Sequence, residues 1–549
     1  MLSLFALLII PLLFISFILL VSIIPNNFNS TWKLNNNLSL VTLIGTSNKT
    51  FWTNIWNKNL YNNNLEYKEY KYSIYKRLGM MLSLVLYLLI IIYWLKYSRT
   101  TINYQLLAVP SNDYIWNLDI SLGLDGISLP FVLLVGFIMP LVFLSNWSTI
   151  DSLDIYYVII IILLELFLIV VFLVLDLIMF YVFFESTLPL LFILIGLYGA
   201  SQKFRAGFYI FLYTLFGSLF MLLIFVKISG DTGSAFFDNY NIINVFQSFQ
   251  DLIWIVLLIS FAAKTPLVPV HIWLPLAHSD ANVSGSVILA SIVLKLALYA
   301  FIRVLLGIFY FATAHLIPFF LGICCISIVY SSLTTIRQFD LKVLVAYSSV
   351  AHMGSTLMGT FSDTLYGLVG SVLFGLAHGF VSPGLFFVVG AVLYDRCGSR
   401  IINYYRGLNV LLPFLSLIFL ILVFGNIGVP LTANFIGEFM SLLGAFQQNI
   451  FITSIATTSV VLSAIYSIFM YNRVTSGSYS RYLHVIPDLF RKEYYTLLPL
   501  VVLTLLVGVF PYFIIADIEY ALSNYLLFSW FFCLFFISGL HRGKLNILN

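Results

Sequence analysis

Runs of roughly twenty apolar residues recur along this sequence, each long enough to cross the hydrocarbon core of a bilayer. "VIIIILLELFLIVVFLVLDLIMF", from Val158 to Phe180, is typical. In lipid every backbone N–H and C=O must find its partner inside the protein, so a spanning chain forms helices or a closed barrel. The runs are continuous rather than alternating, and that selects helices. Composition agrees: 61% hydrophobic and 9% charged residues leave no polar shell for a soluble domain. A net charge of +4 offers no basic surface for nucleic acid.

The expected fold class is an all-α polytopic membrane protein with about fourteen transmembrane helices. They fall near 2–24, 78–96, 127–147, 155–175, 177–199, 206–228, 251–278, 281–303, 306–335, 341–360, 364–394, 410–445, 450–473 and 495–516. The first has no basic residue before its apolar run and is longer than a signal core, so it reads as a retained helix. Residues 25–77, rich in Asn, Tyr and Lys, read as an extramembrane loop. Residues 100–126 alternate weakly and end in a Gly-Asp-Gly-like turn signal, which suggests a short hairpin. The tail at 520–540 is either one more span or an interfacial helix. The chain thus divides into an N-terminal part (1–126), a core (127–516) and a hydrophobic tail (517–549).

Basic residues cluster after odd-numbered helices: Lys68 to Arg77, Lys203 and Arg205, Arg337 and Lys342, Arg396 to Arg406, and Arg473 to Lys492. These exits share one face, and the N-terminus belongs on the other. Lys96, Arg99 and Arg303 dissent.

Ionisable residues inside spans are costly, about 2.5–3.5 kcal/mol at the bilayer centre on insertion scales, so they face the bundle interior and find partners. Here they are Glu165, Asp176 at a helix junction, Glu185, Lys264, Lys295, His378 and Glu438. One such residue is as readily a structural ion pair as a working group. A succession of acid, Lys, Lys, His and acid on consecutive spans is what a proton path needs. Desolvation disfavours the charged form of acids and amines alike, so both can exchange protons near neutrality.

"SFAAKTPLVPVHIWLPLAHSD", from Ser260 to Asp280, sets Lys264 just before Pro266 and Pro269, which no regular helix supports. The seventh helix is therefore expected to break beside Lys264. "FGNIGVPLTANFIGEF", from Phe424 to Phe439, repeats the arrangement with Gly425, Gly428 and Pro430 ahead of Glu438, so the twelfth helix is expected to break too. Two interrupted spans, five helices apart, suggest related halves, helices 4–8 and 9–13. His271, His278 and His352 join His378 as relay candidates. Neither these histidines nor Cys324, Cys325, Cys397 and Cys533 show metal-ligand spacing, so no metal or bound cofactor is expected.

"KTPLVPVHIWLPLAHSDANVSGSVILASIVLKLALYAFIR" resembles the signature of the antiporter-like membrane subunits of respiratory complex I. "FYVFFESTLPL", "LKVLVAYSSVAHMG", "LAHGFVSPGLFF" and "GVPLTANFIGEF" resemble the same family, over about Leu124 to Tyr512. Glu438 is the telling residue: one subunit type of the family carries Glu here, while its relatives typically carry Lys. The resemblance implies two inverted five-helix repeats with broken helices 7 and 12, and one proton route. It assigns Glu185 and Lys264 to a modulating pair, Lys295 and His378 to a central axis with His352 nearby, and Glu438 to the exit, with His271 a further relay candidate. Where the family usually has Pro after the acid and Ala that follow "AH", this chain has Asn282, which leaves the start of the eighth helix open. The resemblance also implies a non-redox subunit of a proton-pumping NADH:ubiquinone oxidoreductase. Its partners would be other membrane-arm subunits, lipids and transported protons, and it would sit in the mitochondrial inner membrane with its N-terminus on the intermembrane-space side. The absence of a Gly-rich nucleotide fingerprint or an iron–sulfur cysteine pattern fits a chain driven by electron transfer elsewhere. The alternatives are a stand-alone cation/proton antiporter and a scaffold held by buried ion pairs.

Overall fold

The computed structural model describes residues 4–23, 66–99, 103–108, 121–147, 154–233, 235–237, 249–480, 482 and 486–523. Nearly all of these are helical. In chain order the helices are α1 (Phe5–Ile23), α2 (Glu66–Lys96), α3 (Ser128–Ser145), α4 (Asp154–Leu173), α5 (Leu177–Tyr198) and α6 (Lys203–Thr232). Then come α7 (Gln250–Lys264), α8 (Trp273–Asp280), α9 (Val283–Leu306), α10 (Tyr310–Ile336) and α11 (Leu341–Thr360). The last are α12 (Leu365–Cys397), α13 (Pro413–Ile427), α14 (Ala433–Gln448), α15 (Ile450–Thr475) and α16 (Arg491–Val509). Ten helices among the described residues are long and apolar enough to cross a membrane, and α1 and α13 are shorter apolar helices. This is the architecture of a multi-pass membrane protein.

Within the stretch read as a hairpin, β1 (Gln105–Ala108) pairs antiparallel with β2 (Leu122–Leu124). The residues joining them lie outside the described residues, as do most of the 25–77 loop and of the 520–540 tail. Helix α2 begins at Glu66, twelve residues before the span at 78–96. Its charged first turns are built from Glu, Lys and Tyr, and the helix propensity of Glu and Lys carries it beyond the apolar run. A final helical segment, 512–523, follows α16.

Helix starts are set by short polar side chains. Asp176 caps α5, its Oδ1 accepting from the N–H groups of Ile178 (2.8 Å) and Met179 (3.1 Å). Asn282 does the same for α9, accepting from Gly285 N–H at 2.9 Å, so the residue that replaces the family's usual Pro starts the helix cleanly. The three dissenting basic residues are not all loop charges. Arg303 is buried in an ion pair with Asp125, and Arg99 pairs with Asp517 at 2.7 Å.

Helices α9 and α12 form the centre. Their most apolar windows are 100% buried by the rest of the chain, whereas α6, α15 and α16 keep an outward apolar face. Three π-helical turns interrupt these two helices, Leu289–Val293 and Phe301–Leu306 in α9 and Phe387–Leu393 in α12. Helix α14 lies along α12 in a seam of small residues. A Cβ on Gly437 would come within 2.5 Å of Phe374 Cα, and one on Gly444 within 2.5 Å of Gly367 Cα. Such residues let helix backbones approach closely in a membrane.

Candidate proton path

The chain leaves helical geometry after Lys264 and resumes it at Trp273. The break is closed by protein: Trp273 Nε1 donates to the Ala263 carbonyl (2.7 Å), and Leu267 N–H donates to Ala262 (3.1 Å). Non-helical backbone at this depth needs such partners. Lys264 ends α7, where a cation also meets the negative end of the helix dipole. Its Nζ donates to the Phe184 carbonyl at 2.8 Å and stands 3.2 Å from the centroid of the Phe184 ring. The neighbouring residue is Glu185, whose carboxylate oxygens are both buried without a hydrogen bond. The expected pair is thus adjacent, with the ammonium resting on the backbone beside the acid rather than on the carboxylate.

The second break runs from Gly428 to Thr432, between α13 and α14. Gly428 takes φ 78°, a left-handed conformation that glycine adopts without Cβ strain. Gly428 N–H donates to Gly425 (3.3 Å) and Val429 N–H to Phe424 (3.1 Å), the paired bonds of a Schellman ending. A Cβ on Gly428 would lie 2.9 Å from Glu438 Oε2, so the break and the acid share one small space. Glu438 is 6% exposed and lines a largely apolar cavity of about 380 Å³ with Phe435, Phe439 and Val460.

Between the breaks, Lys295 is fully buried on α9. Its Nζ donates to the Ala290 carbonyl in the preceding π-turn (2.7 Å) and meets His378 Nδ1 at 2.9 Å. A π-turn of this kind commonly marks a functional position. His352 lies next, its ring centroid 5.7 Å from that of His378. His352 Nε2 is 3.2 Å from Asn426 Oδ1. Tyr466, buried on α15, stands close enough to Asn426 and Glu438 to interact with both.

The structure therefore gathers Lys295, His378 and His352 into one cluster, keeps Glu185 with Lys264, and sets Glu438 by the second break. His271 stays apart from the central cluster, edge-on to Tyr330 and Tyr347 at 5.5 Å and 6.1 Å. His278 stacks on Phe386 at 4.4 Å, with both ring nitrogens buried and unbonded. Glu165 is completely buried with neither oxygen bonded, and no described contact ties it to the cluster. Asn426 and Tyr466 escaped the sequence reading. Asn426 was visible as a lone amide in "LVFGNIGVP", while Tyr466 gave no sign among so many aromatics. No group of three or more His, Cys, Asp or Glu among the described residues is arranged to hold a metal ion.

Comparison with known proteins identifies the family of the chain. Residues 174–464 match the NADH:quinone oxidoreductase/Mrp antiporter transmembrane family. The chain is 45% identical over 450 residues to "NADH-ubiquinone oxidoreductase chain 4" of Mycosarcoma maydis, covering 82% of this chain and 93% of that protein. It is 41% identical over 449 residues to the protein of that name from Arabidopsis thaliana, covering 81% and 90%. Among solved structures it is similar to a chain of respiratory complex I from Thermus thermophilus, with TM-score 0.76 and 27% identity over 83% of this chain and 95% of that one. A chain of the Mrp complex from Dietzia shares the fold alone, with TM-score 0.71 and 16% identity over 84% of this chain and 99% of that one. Fold and buried titratable groups together define an antiporter-like membrane subunit. Within that class, the chain belongs to the NADH-ubiquinone oxidoreductase chain 4 family. It is a non-redox subunit with a role in proton translocation coupled to electron transfer elsewhere in the complex.

Proposed function

We propose that this chain carries one proton route through the membrane arm, with Glu185 and Lys264 modulating one half, Lys295, His378 and His352 forming the centre, and Glu438 forming the exit. On this reading α7 with α8 makes one broken span and α13 with α14 another. The count is then fourteen, and helices 4–8 and 9–13 form inverted repeats within a core of residues 127–516. The observation that carries the route is the 2.9 Å contact between Lys295 Nζ and His378 Nδ1, where both residues are buried between α9 and α12. A lysine that can hand its proton directly to an imidazole suits transfer better than a plain structural pair, which would bring Lys to a carboxylate.

The partners are neighbouring membrane-arm subunits and lipid. The location is the mitochondrial inner membrane, with the N-terminus facing the intermembrane space and the basic loops facing the matrix. Support for that orientation is the cluster of basic residues after odd-numbered spans. Lys295→Met in the whole complex tests the route. Assembly on native gels stays normal while proton pumping in proteoliposomes falls about 100-fold, the usual worth of a positioned proton carrier. Pumping at the unsubstituted level in assembled complex refutes the route. Cation exchange by the purified single chain would instead favour a stand-alone antiporter.

A further inference from the structure

We propose that Asn426 is a gate between the central histidines and Glu438, holding the exit shut in the arrangement seen here. The inference rests on the proton route proposed above and adds a residue to it that neither a titratable side chain nor the resemblance supplies.

A side-chain carbonyl oxygen accepts hydrogen bonds and does not pass protons on. His352 Nε2 faces Asn426 Oδ1 at 3.2 Å, so the bond requires the imidazole proton to sit on Nε2. That fixes the neutral tautomer, with Nδ1 as the acceptor. A proton reaching His352 from His378 joins Nδ1, and the proton released in exchange is the one on Nε2. This is the proton held by the amide. Asn426 is itself buried, at 3% exposure, so no bulk solvent relieves the block.

Beyond the amide the route resumes. Tyr466 is 1% exposed, and its hydroxyl lies against the Asn426 side chain and feels the Glu438 carboxylate. A phenol both donates and accepts, so it can take a proton on its oxygen as its own leaves for the carboxylate. The elements from His352 to Glu438 are therefore an amide, which neither takes up nor releases a proton near neutral pH, then phenol, then acid. Only the first cannot transmit.

The position of Asn426 gives the gate its hinge. It lies in the last turn of α13, two residues before Gly428, where the helix ends in left-handed backbone. The opening proposed is a turn of this last turn that takes the amide off His352 Nε2. No covalent bond other than N–H and O–H changes, and each transfer leaves one proton on each relay group.

The test uses the full complex in proteoliposomes. Asn426→Asp keeps the shape and replaces the amide with a group that carries protons. The gate then fails open: electron transfer stays within about twofold, passive proton leak rises about tenfold, and protons pumped per electron fall. Adding Glu438→Gln to this variant removes the leak. Leak and coupling at the unsubstituted level in Asn426→Asp overturn the gate. If Glu438→Gln alone pumps normally, it is the exit reading that fails, so the two failures are separable. Should Asn426→Asp not assemble, Tyr466→Phe decides: loss of about nine-tenths of pumping in assembled complex supports the route beyond the amide, and unchanged pumping overturns it.

Discussion

Lys264 holds the carbonyl of Phe184 at 2.8 Å, one residue from Glu185, whose own oxygens remain unbonded. No hydrogen bond joins this carboxylate to the ammonium, so the acid can move without breaking one between them. Lys264→Met is expected to leave the complex assembled and to lower coupled pumping about 100-fold. Glu185→Gln acts in the same direction, while Glu185→Asp keeps partial activity because a shorter carboxylate is a more distant partner. Pumping assays with native gels check all three. Wild-type behaviour of the Gln variant would reduce the acid to a bystander.

Glu438 lies 6% exposed beside the Gly428–Thr432 break, where a Cβ on Gly428 would stand 2.9 Å from its Oε2. Glu438→Gln removes a carrier and impairs pumping about 100-fold. Glu438→Lys keeps a carrier of inverted charge in a largely apolar niche and restores activity only in part, since a buried cation without an acid partner is costly. Proton uptake in membrane vesicles separates these outcomes. Equal pumping by the Gln and Glu forms would move the exit elsewhere.

Gly428→Ala places a methyl group 2.9 Å from Glu438 Oε2 and forces L-residue backbone to φ 78°. The left-handed conformation alone costs about 1–2 kcal/mol. The expected result is assembled complex with slowed pumping, because the strain falls on the break and the displaced group is the acid proposed as the exit. If turnover and assembly were both unchanged, the shared space would have no functional weight.

The apolar runs made the helical membrane fold legible, and Gly and Pro marked both breaks. Periodicity could not show which spans lie innermost, because a helix buried on all sides and one facing lipid are equally apolar. Hence α9 and α12 were not distinguishable as the centre. Lys295 and His378 are 83 residues apart, and only the packing of those two helices brings Nζ to Nδ1. Arg303 dissented from the basic-loop pattern for a related reason: its partner, Asp125, is 178 residues away in a Leu-Asp-Gly stretch that reads as a loop.

The Arg303–Asp125 pair is buried on both sides, and Arg303 Nε also donates to Tyr299 Oη at 3.1 Å. Removing one partner strands the other, at a cost of about 3–5 kcal/mol. Arg303→Met or Asp125→Leu alone is expected to lower the amount of assembled complex, and the double substitution to recover much of it. Native-gel yields after matched expression measure this. Additive losses in the double variant would show that the two residues act independently.

Asn282 has φ −61° and follows Ala281 at ψ 147°, a backbone that already suits proline. Asn282→Ala loses the cap, about 1 kcal/mol. Asn282→Pro loses it too but stiffens the unfolded chain, and is expected to be the more stable of the two in thermal denaturation of the detergent-solubilised complex. The reverse order would mean that the Asn282 side chain does more than begin α9.

The glycine seam between α12 and α14 has a mechanical corollary. With Gly437 pressed on Phe374 and Gly444 on Gly367, α14 has no slack against α12 and serves as a stator. Any rotation at the Gly428–Thr432 break must be taken up by α13. Asn426 rides on that rotor, whereas Glu438 is bolted to the stator. Spin-label distances from α12 to α14 should hold constant through turnover while those from α12 to α13 change, and the opposite pattern would assign the moving half to α14.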